Sequence, residues 1–289
     1  MATGAAEHID AVTADVFIKE VWSKRAIVAR EQELVFAELV NRQFEDELAV
    51  GDTIHVPTRS HLSVQTKHIS NNAATIFETI TETNTDIVVQ TWEYQAIALE
   101  TYTKKQSNRD LLAFYAPEQG YALALSIDDV LAGLVDDFTQ TVGALAQPMT
   151  YATEILGARQ YLDDANAPAE GRAWVLSPAE EANWMNMDQF TNRDYDVLHG
   201  EVGKKGMNKA YIGRVLGDPV YKSTNVEGSN AAGHDNAYFH REALALVVQL
   251  KATTHMQFDI NYLANKVVVE QIHGSKEMRD DHGVWAKGL

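Results

Sequence analysis

The 289-residue chain predicts an α+β fold, with strands and helices mixed along the sequence and no regular strand–helix–strand alternation. Three observations carry that expectation. Between Pro117 and Pro148, apolar residues recur at helical spacing: Ile127, Val130, Leu131, Leu134, Val135, Phe138, Val142 and Leu145. Between Gly51 and Tyr102 the chain is rich in Thr, Val and Ile and alternates apolar with polar side chains, as half-buried strands do. Later, "EALALVVQL" and "NKVVVEQI" have the composition of buried strands. No internal repeat or low-complexity segment breaks this order.

The chain is long enough for one large domain or two ordinary ones. It is 45% hydrophobic and 22% charged, close to average globular usage, so it can bury a sizeable core. No apolar run approaches the roughly 20 residues of a membrane span, so no membrane partner is expected. The start, "MATGAAEHIDAVTADVF", lacks the basic and apolar regions of a secretory signal. Cysteine is absent, which excludes disulfides and thiolate metal sites and fits cytosolic synthesis. Charge is the sharpest feature: 24 Lys and Arg against 41 Asp and Glu, a net −17. Proteins that grip nucleic acid neutralise phosphates with a basic patch, and no dense Lys/Arg cluster exists here. Direct DNA recognition is therefore not expected, while containment of DNA by an acidic wall stays open.

In chain order, residues 1–16 are small, polar and acidic and read as an arm. "FIKEVWSKRAIVAREQELVFAELVNRQFE", residues 17–45, has loose helical spacing through Trp22, Ile27, Leu34 and Leu39, which on periodicity alone is an ordinary surface helix. Gly51-Asp52 breaks that pattern and two extended arms follow. In "TIHVPTRSHLSVQT", Ile54, Val56, Leu62 and Val64 share one side, and His55, Arg59, His61 and Gln65 the other. "KHISNNAA" is polar enough to be the tip. On the return arm Ile76 and Ile80 share a face with Glu78 and Glu82, while Phe77 faces with Thr75, Thr79 and Thr81. Neither face is oily enough to seal a core, and a lone two-stranded ribbon is only marginally stable in water. It needs something to lie on.

The strongest helix is predicted over residues 117–147, with Pro117 at its first position, Pro148 at its end, and Asp128/Asp129 and Asp136/Asp137 pointing away from its apolar stripe. At 1.5 Å per residue such a helix is roughly 45 Å long, a spine. A second helix is expected over residues 151–166, closed by Pro168. "RAWVLSP" reads as a strand entering a helix with Ser177 as N-cap, Pro178 as first residue and Glu180 completing a capping box. Residues 200–233 are Gly-rich and read as loops and short strands.

A search for chemistry returns nothing. Ten histidines include His234, His240 and His282, the first beside Asp235 and the last after Asp280-Asp281. No H-E-x-x-H spacing exists, and surface histidines account for them, so no metal is expected. "GEVGKKGMNK", residues 200–209, lacks the order of a phosphate-binding loop and reads as a basic turn. There is no G-x-G-x-x-G or G-x-S-x-G, and the neighbours Asp163 and Asp164 diverge on a helix. No catalytic or cofactor-binding residue is assigned, and the chain is not expected to be an enzyme. A long arm, a spine and an unsupported ribbon without a catalytic constellation suit a chain built to touch copies of itself. Repeating one heterologous contact yields rings or closed shells.

Several stretches resemble the major capsid (coat) protein family of tailed bacteriophages. Residues 17–45, followed by "GDTIHVP", resemble that family's N-terminal signature, and "LDDANAPAEGRAWVLSPAEE", residues 162–181, resembles its segment between spine helix and apical domain. "AYFHREALALVV" and "KEMRDDHGVWAKG" are similar as well. Lys19 departs from the pattern, since relatives commonly carry Pro after Phe-Ile. The resemblance implies the Hong Kong 97-type capsid fold: residues 1–50 as N-arm and first helix, 51–100 as extended E-loop and its base, 101–150 as P-domain with spine helix, 151–254 as A-domain, and 255–289 as closing P-domain strands. It implies inter-subunit contacts by E-loop residues Ile54, Val56, Arg59, Leu62, Val64, Lys67, Ile76, Phe77 and Ile80, and by N-arm residues Phe17, Ile18 and Trp22. The ribbon would then lie on a neighbouring subunit.

The implied function is a virion shell of hexamers and pentamers around the double-stranded DNA of a tailed bacteriophage, assembled in the host cytoplasm without a cofactor. Implied partners are copies of the chain, a separate scaffolding protein (the family signature begins at Phe17), a portal and a decoration protein. Some relatives cross-link an E-loop Lys to an Asn; nothing around Lys67 signals an activating base, so no cross-link is expected. Two other readings remain at this point: an encapsulin-like compartment holding enzyme cargo, and a soluble enzyme with an unrecognised site.

Overall fold

The computed structural model describes residues 34–45, 51–58, 62–67, 74–75, 77–80, 82–107, 111–187 and 211–289. Most of the helix expected over residues 17–45 lies outside these, as does the basic turn at 200–209. Within them falls one helical turn, α1 (Phe36–Leu39). Its backbone continues to Asn41, which forms a parallel bridge with Ala245.

The extended arms are shorter than the alternation predicts. β1 (Thr53–Thr58) pairs antiparallel with β2 (Thr83–Val88), setting Ile54 opposite Ile87. Residues 62–67 and 77–80 carry no ladder. β3 (Thr91–Glu100) then leaves the ribbon and pairs antiparallel with β11 (Ala264–Glu277), which forms a long hairpin with β10 (Leu244–Asp259). Two register shifts within β10, between Val248 and Leu250 and between Leu250 and Thr253, add local twist to this hairpin. β10 is buried over its first four residues and mostly exposed from Lys251 onward, while β3 alternates along its whole length.

After α2 (Thr101–Gln106) comes the spine, α3 (Leu111–Ala132). It differs from expectation at both ends. Pro117 lies inside the helix, where residues 114–118 are exposed and water can serve the carbonyl that loses its N–H partner. The helix stops at Ala132 although the apolar period continues. Leu134, Val135 and Phe138 donate to carbonyls three residues back, so tight turns replace the helix. These turns let the Phe138 ring settle over Gly283, where a Cβ would come within 2.2 Å of it. The spine is therefore 22 residues, about 33 Å.

Asp128 is the second correction on this helix. It points inward, fully buried, and accepts from the backbone N–H of Val35 and Ala37 and from Asn225 Nδ2. Burial raises its pKa and these hydrogen bonds oppose the rise. One carboxylate thus fastens α1 and the 225 loop to the spine. The shared cluster holds Phe36, Leu131, Val135, Phe138, Phe239 and Leu244.

A seven-stranded mixed sheet completes the fold. Its main path runs β4 (Thr141–Gly143), β12 (Gly283–Gly288), β9 (Gly233–His240), β5 (Arg172–Leu176), β7 (Asp218–Lys222) and β6 (Tyr211–Val215), with two-residue β8 (Gly228–Ser229) beside β9. α4 (Leu156–Asp164), entered through a π-helical turn at Tyr151–Ile155, and α5 (Pro178–Met185) pack around it. Trp174 stacks on Tyr238 at 4.3 Å and meets Trp184 edge-on at 5.1 Å. Arg172, buried, pairs with Asp163 at 2.7 Å and also donates to the carbonyls of Ala167 and Pro168. The boundary drawn at residue 254 falls inside β10, and β12 joins the sheet built mainly from residues 172–240.

Half of the capping box forms. Ser177 Oγ accepts from the Glu180 N–H as expected, but the Ser177 N–H donates to Asn236 Oδ1. The Glu180 carboxylate is buried instead and accepts from the N–H groups of Met149 and Leu289 and from Asn183. Burial pushes its pKa up.

Candidate functional site

The ribbon rises from a seat on the three-stranded sheet. Ile54 and Ile87 face Val89, Ala245 and Val247, with Val56 and Ile272 against the edge of this cluster. The seat depends on Gly274 in β11. A Cβ there would stand 2.5 Å from the Val88 carbonyl oxygen and 2.9 Å from Val89 Cα, so only glycine lets the ribbon approach this closely. On the solvent side, His55 and Asp86 meet at 2.6 Å, and Asn84 donates to Asp86.

Above the seat, packing ends among the described residues. Leu62, Val64, Phe77 and Ile80 are all exposed, Val64 at 95% and Phe77 at 89%. The two arms are joined by polar contacts, with Ser63 donating from its N–H and Oγ to the Glu78 carboxylate. Such exposed bonds hold arms together without giving apolar side chains anywhere to go. Lys67 is exposed on the outgoing arm. Arg59, Ile76, Phe17, Ile18 and Trp22 lie outside the described residues. Of the sequence-predicted contact residues, the structure gathers Ile54 and Val56 into an internal cluster and leaves Leu62, Val64, Lys67, Phe77 and Ile80 on the surface.

Further exposed apolar side chains went unread in the sequence. Met256, Phe258, Ile260, Tyr262 and Leu263 crowd the far end of the β10–β11 hairpin, and Trp92 and Tyr94 stand on the outer face of β3. The signal was available: "TTHMQFDINYLANK" continues the buried-strand composition past the point where the neighbouring elements give out.

The inner face of β3 is polar where it meets the spine. Ser126 donates to Glu93 at 2.6 Å, Gln119 reaches Gln95, and Gln271 donates to both Glu93 and the Leu123 carbonyl. Burial would raise the Glu93 pKa, but Ser126, Gln271 and His273 beside it hold it below the usual range. An open cleft of about 300 Å³ lies between β4 and α4, lined by Thr141, Gly143, Glu154, Gly157, Gln160 and Tyr161. The Glu154 carboxylate there accepts from the Thr150 N–H and hydroxyl, which fixes the entry of the π-helical turn. Among the described residues no helix is long and apolar enough to cross a membrane.

A spine helix over a three-stranded sheet, a second mixed sheet and a protruding ribbon together make the Hong Kong 97-type fold. The chain superposes on a structure of Mycobacterium phage Che8 with TM-score 0.77 and 23% identity, covering 93% of this chain and 97% of that one. It is also similar to the capsid structure of cyanophage P-SCSP1u (TM-score 0.73, 16% identity, 96% and 94% covered) and to the mature capsid of bacteriophage PhiM1 (0.69, 14%, 94% and 93%). No protein-family model and no curated protein matches the sequence.

Proposed function

We propose that this chain is the major capsid protein of a tailed bacteriophage, a structural and non-enzymatic subunit that assembles as hexamers and pentamers into a closed icosahedral shell. The observation that carries the reading is the ribbon tip. Four large apolar side chains, Leu62, Val64, Phe77 and Ile80, stand in water on a fold shared with phage capsids. A second copy of the chain supplies the surface they lack. The tip contacts of Arg59, Lys67 and Ile76, and those of Phe17, Ile18 and Trp22 in the arm, belong to the same reading, as do the N-arm, E-loop, P-domain and A-domain divisions.

The shell encloses double-stranded DNA without gripping it, which suits a net charge of −17. A scaffolding protein, a portal and a decoration protein complete the set of partners, with assembly in the host cytoplasm. Negative-stain electron microscopy of the purified chain, expressed alone and with its scaffold, tests the proposal. Uniform closed particles are expected when the scaffold is present, with DNA inside those recovered from infected cells. Efficient uniform shells from the chain alone would count against a separate scaffold. Sedimentation as monomers or dimers under both conditions would overturn it, and particles filled with enzyme would make it a compartment instead.

A further inference from the structure

His240 at the end of β9, Glu242 in the turn before β10, and His282 in the 3-10 turn before β12 converge at the junction of the two sheets. Each offers one ligating atom, and the three atoms lie within 4.8 Å of one another. Both histidines are buried, at 6% and 2% exposure, while Glu242 reaches in from the surface. They are not the surface histidines the sequence suggests.

The protons on these rings can be placed by their partners. His240 Nε2 lies 2.9 Å from the Glu170 carbonyl, which only accepts, so Nε2 carries the proton and Nδ1 presents a lone pair. The backbone N–H of Glu242 meets that lone pair only at 3.3 Å. A neutral imidazole that donates one N–H to a carbonyl and offers the other nitrogen is arranged as metal-ligating histidines are. At His282, Arg279 Nη1 donates to Nε2 at 3.0 Å, which leaves the proton on Nδ1. That nitrogen is buried and has no hydrogen-bond partner among the described residues.

We infer that His240, Glu242 and His282 form a site for one divalent transition-metal ion of the zinc type. Two imidazoles and a carboxylate are a borderline-soft donor set that favours Zn²⁺, Co²⁺ or Ni²⁺ over Mg²⁺ or Ca²⁺. Tetrahedral coordination with bonds of 2.0–2.1 Å sets ligand atoms about 3.4 Å apart. The present separations therefore close with movements on the order of 1 Å, most easily by exposed Glu242. At His282 the ion takes Nδ1 and the proton moves to Nε2. That nitrogen then faces Asp281, whose Oδ2 already lies 3.9 Å away, and the exposed Arg279 side chain withdraws. The ion ties the β9–β10 turn to the entry of β12, and water fills the fourth position.

Metal-stripped full-length chain titrated with Zn²⁺ by calorimetry, and with Co²⁺ by visible absorption, tests this. One ion per chain with the intense bands of tetrahedral Co²⁺ is expected, together with a higher unfolding temperature. Glu242→Gln, at an exposed position that does not threaten the fold, should weaken binding at least about tenfold, and His282→Ala should abolish it. Arg279→Ala should tighten binding several-fold, because it removes the competing donor and its positive charge. Absence of stoichiometric binding to the wild-type chain overturns the inference. So does binding that Glu242→Gln and His282→Ala leave unchanged, or binding that Arg279→Ala weakens.

Discussion

Ile54 and Val64 belong to one alternating series in the sequence, yet Ile54 is 8% exposed and Val64 is 95% exposed. Nothing in their chemistry separates them. The difference is what lies beneath: at the foot of the ribbon Ala245 and Val247 of β10 complete a cluster, and farther out no described residue covers Val64. Alternation thus reports which side chains want an apolar partner, and says nothing of whether that partner is in the same chain. Burying Leu62, Val64, Phe77 and Ile80 fully would contribute roughly 6–12 kcal/mol of transfer free energy per subunit. Ordering the tip and fixing the subunits offsets part of this.

The largest test of the contrast is to remove the tip. Replacing residues 59–74 with a short Gly-Ser turn should leave far-UV circular dichroism of the subunit nearly unchanged while abolishing shells in electron micrographs. Unfolding of the isolated subunit would instead make the tip part of an internal core. Next come matched truncations. Ile87→Ala at the fully buried foot should destabilise the isolated subunit by about 2–5 kcal/mol in denaturant melts. Val64→Ala should shift the same melts by less than about 0.5 kcal/mol, and lower only the temperature at which shells open.

A smaller effect separates foot from tip by pH. Glu277, three residues beyond the Gly274 seat, has its pKa raised to about 7, first by burial and then by the Asp280 and Asp137 carboxylates, with Lys276 opposing. Between its ordinary value of 4.5 and 7, the folded chain holds a proton that the unfolded chain releases. Stability should therefore fall by about 1 kcal/mol, after screening, as pH rises through this window, and level off above it. Glu277→Gln should flatten that slope, and tip deletion should not. The smallest effect is expected at Lys67→Glu, which should leave the subunit melt unchanged and alter shell stability by no more than about 1 kcal/mol, vanishing in high salt.

The legible parts of this fold were those set by local chemistry. Ser177 and Pro178 announced the start of α5, and the runs around Val247 and Val268 announced two strands, though not that they pair as a hairpin. Helix length was not legible, because Leu134, Val135 and Phe138 keep helical spacing while making turns that serve the same cluster. Asp128 was misread for its charge, although it stands three, four and seven residues before Leu131, Ala132 and Val135 and so falls on the core-facing stripe. The junction histidines escaped because His240 and His282 are distant in sequence and meet only where β9 pairs with β12. The tip was legible as unsupported, since its apolar residues had nothing local to rest on.

β12 sits between β4 and β9, although its residues are made after every other strand of that sheet. Until the ribosome delivers residues 283–288, β4 has no strand to pair with and one edge of β9 stays open. Open edges invite pairing with whatever strand is nearest, and partly made chains crowd together on a polysome. The order of synthesis thus sets a clock. A nascent subunit therefore cannot close its larger sheet before translation has passed Gly288.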